Sequence, residues 1–210
     1  MQPLDTVLNL GLTQMGLTLS SETRNKLLDF VALLDKWNKT YNLTAVRDPQ
    51  QMITHHILDS LAIRAFLKGP NILDIGTGAG LPGIPLALVC PEYEFILLDS
   101  NAKKTRFVLQ AVAELGLANV AVVNERVEKY LPRQKFATLV TRAFASLPDM
   151  LKSTAHLCAD GGEFLAMKGA LSESEVAQIP AGFTVLETRE LQVPGVEGER
   201  RLLRIVASSA

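Results

Sequence analysis

The chain has 210 residues, 48% of them hydrophobic and 20% charged, with a formal net charge of −1 and a pI near 6.3. That length suits one sizeable core with an extension rather than two ordinary domains. The near-neutral balance excludes a protein that binds nucleic acid through an overall positive charge, so any RNA contact must come from a local face.

No apolar run reaches the ~18 residues of a membrane span, and the first residues lack a basic segment followed by an apolar stretch and a cleavage site. No membrane association is expected, and the location is expected to be cytoplasmic. The two cysteines, Cys90 and Cys158, suit a reducing compartment. They read as core thiols, Cys90 following the first helix of the glycine-rich region and Cys158 closing a later one.

In chain order, residues 1–68 show helical periodicity and little strand signal. Leu27, Val31, Leu34 and Trp37 recur at helical spacing behind Ser20 or Ser21 as N-cap. This N-terminal helical extension should pack its stripe onto the remainder of the chain, residues 69–210, with Trp37 as a core anchor rather than a base-stacking platform.

Strands are expected near 71–75, 94–99, 119–123, 137–142, 162–168, 183–192 and 200–207, and helices near 82–89, 101–115, 146–158 and 172–178. Alternation of this kind predicts an α/β fold with a mostly parallel sheet covered on both faces. The last two strands are separated only by a turn with Pro194, Gly195 and Gly198, so they should form an antiparallel pair.

The stretch from Asn71 to Gly80 is the most informative. An apolar run ends at Asp74 and passes into Gly76, Gly78 and Gly80, the signature of a strand entering a turn whose backbone can approach a ligand. The spacing is G-x-G-x-G rather than the dinucleotide G-x-G-x-x-G, and Asp74 adds negative charge where a pyrophosphate would sit. S-adenosylmethionine, which has an ammonium group and no phosphate, is the better occupant. A second apolar run ends at Asp99, 23 residues after Gly76, where a carboxylate can accept both ribose hydroxyls.

Seven strands with a terminal antiparallel pair resemble the class I (Rossmann-like) methyltransferases. The segment from Leu73 to Leu86, LDIGTGAGLPGIPL, resembles the signature of the RsmG (GidB) family. Further matches are Trp37-Asn38-Lys39, Tyr41-Asn42-Leu43-Thr44, His56-Ile57-Leu58-Asp59-Ser60, Leu98-Asp99-Ser100, Thr141-Arg142-Ala143-Phe144 and Met167-Lys168-Gly169.

The resemblance implies transfer of a methyl group from S-adenosyl-L-methionine to N7 of a guanine in the decoding-region loop of bacterial 16S rRNA, with S-adenosyl-L-homocysteine as product. The implied partner is 16S rRNA, within a small subunit or an assembly intermediate, and no DNA. Gly76, Gly78, Leu81 and Asp99 would line the cofactor, with Val127 and Glu128 at its adenine. Arg142 would stand beside the reaction centre, pairing with the cofactor carboxylate or reading guanine O6, with a structural ion pair as its alternative. Asn42, Arg47, His56 and Lys168 are secondary candidates for substrate handling, and Asp59 could hold His56 or cap a helix. Two departures from the family pattern are His55, where Arg is usual, and Ala137, where an acid is usual.

The chemistry is consistent with this resemblance. Methyl transfer is an in-line displacement that mainly requires nucleophile and donor to be aligned at about 3 Å. Guanine N7 offers a free lone pair and needs no general base. The amine-methylating pattern after the fourth strand is absent, and neither cysteine suits attack on a pyrimidine ring. His55 and His56 are neighbours that diverge on a helix, so no metal site is expected. An NAD-dependent oxidoreductase, a non-catalytic cofactor-binding module and a small-molecule methyltransferase are the competing readings.

Overall fold

The computed structural model describes residues 2–142 and 146–208, so Ala143 and Phe144 of the fourth-strand motif lie outside the described residues. The chain opens with α1 (Leu4–Gln14) and α2 (Ser21–Tyr41). Ser20 caps α2, its Oγ accepting from the Thr23 amide at 3.0 Å, and Leu27, Phe30, Val31 and Leu34 bury its apolar stripe. A helical run follows, made of α3 (Pro49–Met52), a π-helical segment Ile53–Leu58 and α4 (Asp59–Leu61).

The sheet comprises β1 (Asn71–Ile75), β2 (Glu94–Asp99), β3 (Val120–Asn124), β4 (Phe136–Thr141), β5 (Cys158–Lys168), β6 (Phe183–Glu190) and β7 (Arg201–Ala207). Helices α5 (Gly83–Val89), α6 (Ala102–Leu115), α7 (Leu147–Thr154) and α8 (Glu173–Ala177) connect them. The order is β3-β2-β1-β4-β5-β7-β6, with β7 antiparallel to both neighbours and the other pairings parallel. The expected seven strands and terminal antiparallel pair are present.

One boundary needs correction. The helix expected over 146–158 gives way to a 3-10 turn at Ala155–Leu157, and Cys158 opens β5 instead of closing the helix. Both thiols are buried, as expected of core cysteines.

Strand β1 is central and Ile72–Ile75 are all buried, as a parallel strand covered on both faces requires. It pairs with β2 on one side and β4 on the other, so the chain reverses direction of travel across the sheet at β1/β4. A crevice opens at the carboxyl ends of the strands at such a switch point. Residues of the N-terminal helices, among them Leu8, Phe30 and Leu34, share one apolar cluster with Ile84, Phe107 and Val108 of α5 and α6. Trp37 joins it, with its ring centroid 5.6 Å from that of Phe107. The opposite face of the sheet is packed by Leu147, Met150 and Leu151 of α7. Burial of a phenylalanine such as Phe107 stabilises the seam between α2 and α6 by about 1.5–3 kcal/mol.

Candidate active site

The turn after β1 is held from beneath by Asp74. Its Oδ2 accepts from the Thr77 hydroxyl at 2.7 Å and from the Gly83 amide at 2.8 Å, while its Oδ1 has no partner. Complete burial pushes the Asp74 pKa up to about 6, partly opposed by those two hydrogen bonds. Because the carboxylate occupies the first amide of α5, the helix end that would otherwise receive a phosphate is already taken. This gives structural form to the argument against a pyrophosphate.

Above it, Asp99 at the end of β2 accepts from the Gly78 amide through Oδ2 and from the Asn101 amide through Oδ1, each at 2.8 Å. The second acid therefore fixes the glycine turn to β2, and each of its oxygens retains acceptor capacity. Gly76, Gly78 and Gly80 all adopt positive φ.

A cleft of about 190 Å³ lies at the strand ends, lined by Ile75, Gly76, Leu98, Asp99, Ser100 and the Glu125–Glu128 segment. Gly76 has φ +68°, and a Cβ added there would meet nothing within 4 Å, so a side chain would project into space that a cofactor can use. A carboxylate, a bare glycine backbone and the apolar Val127 lining one cleft fit the adenosine half of S-adenosylmethionine. The cleft is smaller than the roughly 300 Å³ of a complete small-molecule site, which leaves the methionine half to lie outside it.

Of the sequence-predicted cofactor residues, Gly76, Asp99, Val127 and Glu128 line this cleft, and Gly78 adjoins it through its bond to Asp99. Leu81 is placed differently: it is 4% exposed and packed in the apolar cluster beneath the turn.

A second cavity, of about 350 Å³, is lined by Val46, His55, His56, Asp59, Arg142, Met167, Lys168, Leu191, Arg200 and Arg201, with Gly169 at its edge. It brings together the helical run, the ends of β4 and β5, and the start of β7. Arg142 follows the last residue of β4, and its Nη1 donates to Asp59 Oδ2 at 3.1 Å and to the His55 carbonyl at 3.2 Å. Arg200 approaches Asp59 Oδ1 from the other side at 3.3 Å. Asp59 thus neither holds His56 nor caps a helix. It is the buried counter-ion of two arginines. Arg200 did not emerge from the sequence, because nothing in the residues around it marks a contact with a segment so far back in the chain.

His56 is 5% exposed and shares a 2.8 Å hydrogen bond between Nε2 and Thr44 Oγ1, with Nδ1 unpartnered. Burial, reinforced by the Arg142 charge, pushes its pKa down to about 4, so the ring is neutral at pH 7. Lys168 pairs with Glu175 at 2.7 Å. Asn42 and Arg47 line neither cavity; Arg47 Nη2 donates to Asn42 Oδ1 at 2.8 Å, and its Nη1 to the Asn38 carbonyl at 3.2 Å. The His55 departure places a ring in the cavity wall and a carbonyl on Arg142. Ala137, near the start of β4, donates its amide to Asn71 Oδ1 at the opposite end of the sheet.

The profile of the family described as rRNA small subunit methyltransferase G (GidB) matches residues 23–203. The chain is 51% identical over 195 residues to the "Ribosomal RNA small subunit methyltransferase G" of Shewanella sp. (strain ANA-3), covering 93% of this chain and 95% of that one. It is 52% identical over 199 residues to the protein of the same name from Shewanella amazonensis, covering 95% and 97%. Among solved structures, TrmN from Thermus thermophilus is similar with a TM-score of 0.60 at 17% identity, over 81% of this chain and 53% of that one. The glycopeptide N-methyltransferase MtfA complexed with S-adenosyl-L-methionine is similar with a TM-score of 0.62 at 12% identity, over 73% and 88%. These two likenesses concern the fold, whereas the profile and the half-identical sequences settle descent: the chain belongs to the rRNA small subunit methyltransferase G family.

Proposed function

We propose that this protein transfers a methyl group from S-adenosyl-L-methionine to N7 of a guanine in the decoding-region loop of 16S rRNA, leaving S-adenosyl-L-homocysteine. Its substrate is the small subunit or an assembly intermediate in the cytoplasm, and DNA is not a partner. Residues 69–210 form the methyltransferase unit, and residues 1–68 an extension that closes over it. No helix among the described residues is long and apolar enough to cross a membrane.

The observation that carries this reading is Arg142. It joins the wall of the second cavity at the end of β4, next to the strand that leads into the cofactor turn. Only its Nη1 is engaged by described residues, so Nε and Nη2 are available to a guanine O6 or to the cofactor carboxylate.

Gly76, Gly78, Asp99, Val127 and Glu128 would hold the cofactor, which supplies an electrophilic methyl on a sulfonium. Asp99 fixes the turn and offers its remaining lone pairs to hydroxyls. The cavity requires no proton acceptor at N7, because the lone pair is already free, and the neutral His56 adds no positive charge to repel the methylated, cationic purine. Arg142 orients the base, and Asp59 orients Arg142. An unpaired loop guanine can enter at lower cost than one held in a duplex.

The test is incubation with labelled S-adenosylmethionine and small ribosomal subunits from a strain lacking this gene, followed by mapping of the label. Label on N7 of one guanine is expected. No label on subunits, assembly intermediates or free rRNA, despite cofactor binding, overturns the reading.

A further inference from the structure

Tyr41 is one of the few large apolar side chains that the fold leaves in solvent, at 42% exposure. One face of its ring is covered: it stacks on Trp37 with centroids 5.1 Å apart and planes inclined by 30°. Trp37 in turn rests on Phe107, which is fully buried. The result is a three-ring column whose base is the core and whose last ring is open. Its hydroxyl makes no hydrogen bond to a described residue, so no polar contact accounts for its position.

The column stands at the cofactor end of the sheet. Helices α2 and α6 run antiparallel, since Asp29, Leu33 and Lys36 share a groove with Glu114 and Leu115, while Trp37 reaches back to Phe107. Helix α6 begins just after Asp99, so its first turn lies beside the cofactor cleft. Tyr41, one turn beyond Trp37, is carried about 6 Å further toward that end by the helical rise. The connection that follows reaches Val46, which lines the second cavity.

The first turns of α6, at this same end, carry cations. Lys103 is one turn ahead of Phe107 on the same face of α6, and Arg106 and Lys104 flank it. None of these three, nor Arg47, forms an ion pair with a described residue. An exposed ring with a rigid backing, at the same end of the fold as cations without an ion-pair partner among the described residues, is the combination that single-stranded RNA uses: the base stacks and the cations meet its phosphates.

We propose that Tyr41, backed by Trp37, is a stacking platform for an unpaired base of the rRNA substrate, flanking the guanine that is methylated, with Lys103 and Arg47 meeting the adjoining phosphates. This inference rests on the rRNA reading given above. Tyr41 acts on substrate affinity and touches no reacting atom. Asn42, at φ +50°, ends α2 directly after Tyr41 and accepts from Arg47, which sets the ring and the cation on one rigid corner.

The experiment compares wild type, Tyr41→Ala and Tyr41→Phe in methyl transfer to small subunits from the strain lacking the gene, varying subunit concentration. Trp37 is the sole tryptophan, so its emission also reports the column directly when protein-free 16S rRNA is titrated in. Tyr41→Ala should raise KM for subunits at least about fivefold, as loss of one stacked base implies, with kcat and cofactor affinity within about twofold of wild type by the same argument. Tyr41→Phe should keep the wild-type KM, and rRNA should quench Trp37 in wild type and less in Tyr41→Ala. An unchanged KM in Tyr41→Ala, or a Tyr41→Phe variant as poor as Tyr41→Ala, overturns the platform while leaving rRNA methylation intact. An effect seen with subunits but with no quenching by rRNA assigns the surface to a ribosomal protein and also overturns it. Failure of wild type to label any rRNA is the distinct result that removes the underlying function as well.

Discussion

Arg142 and Asp59 form a 3.1 Å ion pair across 83 positions of sequence, joining the end of β4 to the helical run of the N-terminal extension. The pair sits where the second cavity meets the sheet, and Arg200 completes it from the start of β7. Three segments with no local relation are thus gathered on one buried carboxylate. The extension therefore takes part in holding Arg142: without Asp59, the guanidinium would keep only its bond to the His55 carbonyl.

Replacing Asp59 by Ala should be costly in two separable ways. Two half-buried guanidiniums lose their common counter-ion, which should destabilise the fold by about 1–3 kcal/mol, less than for a fully buried pair because both arginines are a quarter or more exposed. Methyl transfer should fall more than tenfold as Arg142 loses its orientation. Asp59→Asn should recover much of the stability and little of the activity. Denaturant unfolding and initial rates decide the matter, and wild-type rates for Asp59→Asn would sink the positioning role.

On the proposed function, Arg142→Ala should keep the fold while losing at least about a hundredfold in kcat/KM, since it removes the donors that would orient the base. Arg142→Lys should not rescue it, because one ammonium cannot reach the Asp59 carboxylate and the His55 carbonyl while also presenting a planar pair of donors. The circular-dichroism spectrum and thermal midpoint check folding, and steady-state kinetics check the loss.

The buried His56 makes stability depend on pH with a definite sign. Its pKa is about 4 in the fold against 6.5 when exposed, so between those values the unfolded chain binds more protons. Stability therefore falls as pH drops from 6.5 toward 4. Asp74 opposes it: with a folded pKa of about 6 against 3.8, the native state binds more protons in that window and stability falls as pH rises through it. The two nearly cancel between about 4 and 6, and a His56→Gln variant separates them. Relative to that variant, wild type should lose about 2–3 kcal/mol between pH 7 and pH 4.5. A constant difference across that range would contradict a neutral buried ring.

Both cysteines should resist modification in the native protein. Burial pushes both thiols up, Cys158 to about 11, so little thiolate forms at neutral pH and access is closed as well. A thiol reagent should find almost no reactive group until denaturant is added and both thereafter. Rapid native labelling of either would place it outside the core.

What could be read from the sequence was what local chemistry specifies. The glycine turn, the acid at the end of β2 and the alternation of strands and helices are each contained in a short stretch, and the structure places them at the ends of adjacent strands. Leu81 is expected at the cofactor from its place in the glycine-rich segment, but the burial of its side chain in the apolar cluster follows from packing between helices that no local pattern encodes. Arg200, and the role of Asp59 as its counter-ion and that of Arg142, were the larger gaps. Their meaning depends on β7 lying next to β5 and on the helical run crossing over both, a relationship between segments that no local pattern encodes. The π-helical turn at Ile53–Leu58 was equally silent, since its residues also satisfy ordinary helical periodicity.

Two glycines of the cofactor turn should respond in opposite ways to the same added methyl group. At Gly83 a Cβ would run into the Leu97 side chain and come within 2.7 Å of Asp74 Oδ2, the oxygen that its own amide bonds. Both neighbours are buried on central strands and cannot give way, so Gly83→Ala should cost about 3 kcal/mol or more and free Asp74 from the turn. At Gly76 the Cβ meets no atom, and the cost is only that of holding alanine at φ +68°, about 1–2 kcal/mol. Gly76→Ala should therefore fold, yet place its methyl on the floor of the cleft and weaken S-adenosylmethionine binding. Calorimetric titration with the cofactor, run beside denaturant unfolding on both variants, separates the effects: Gly83→Ala fails in stability first and Gly76→Ala in binding. Wild-type cofactor affinity in a folded Gly76→Ala protein would move the adenosine off this cleft.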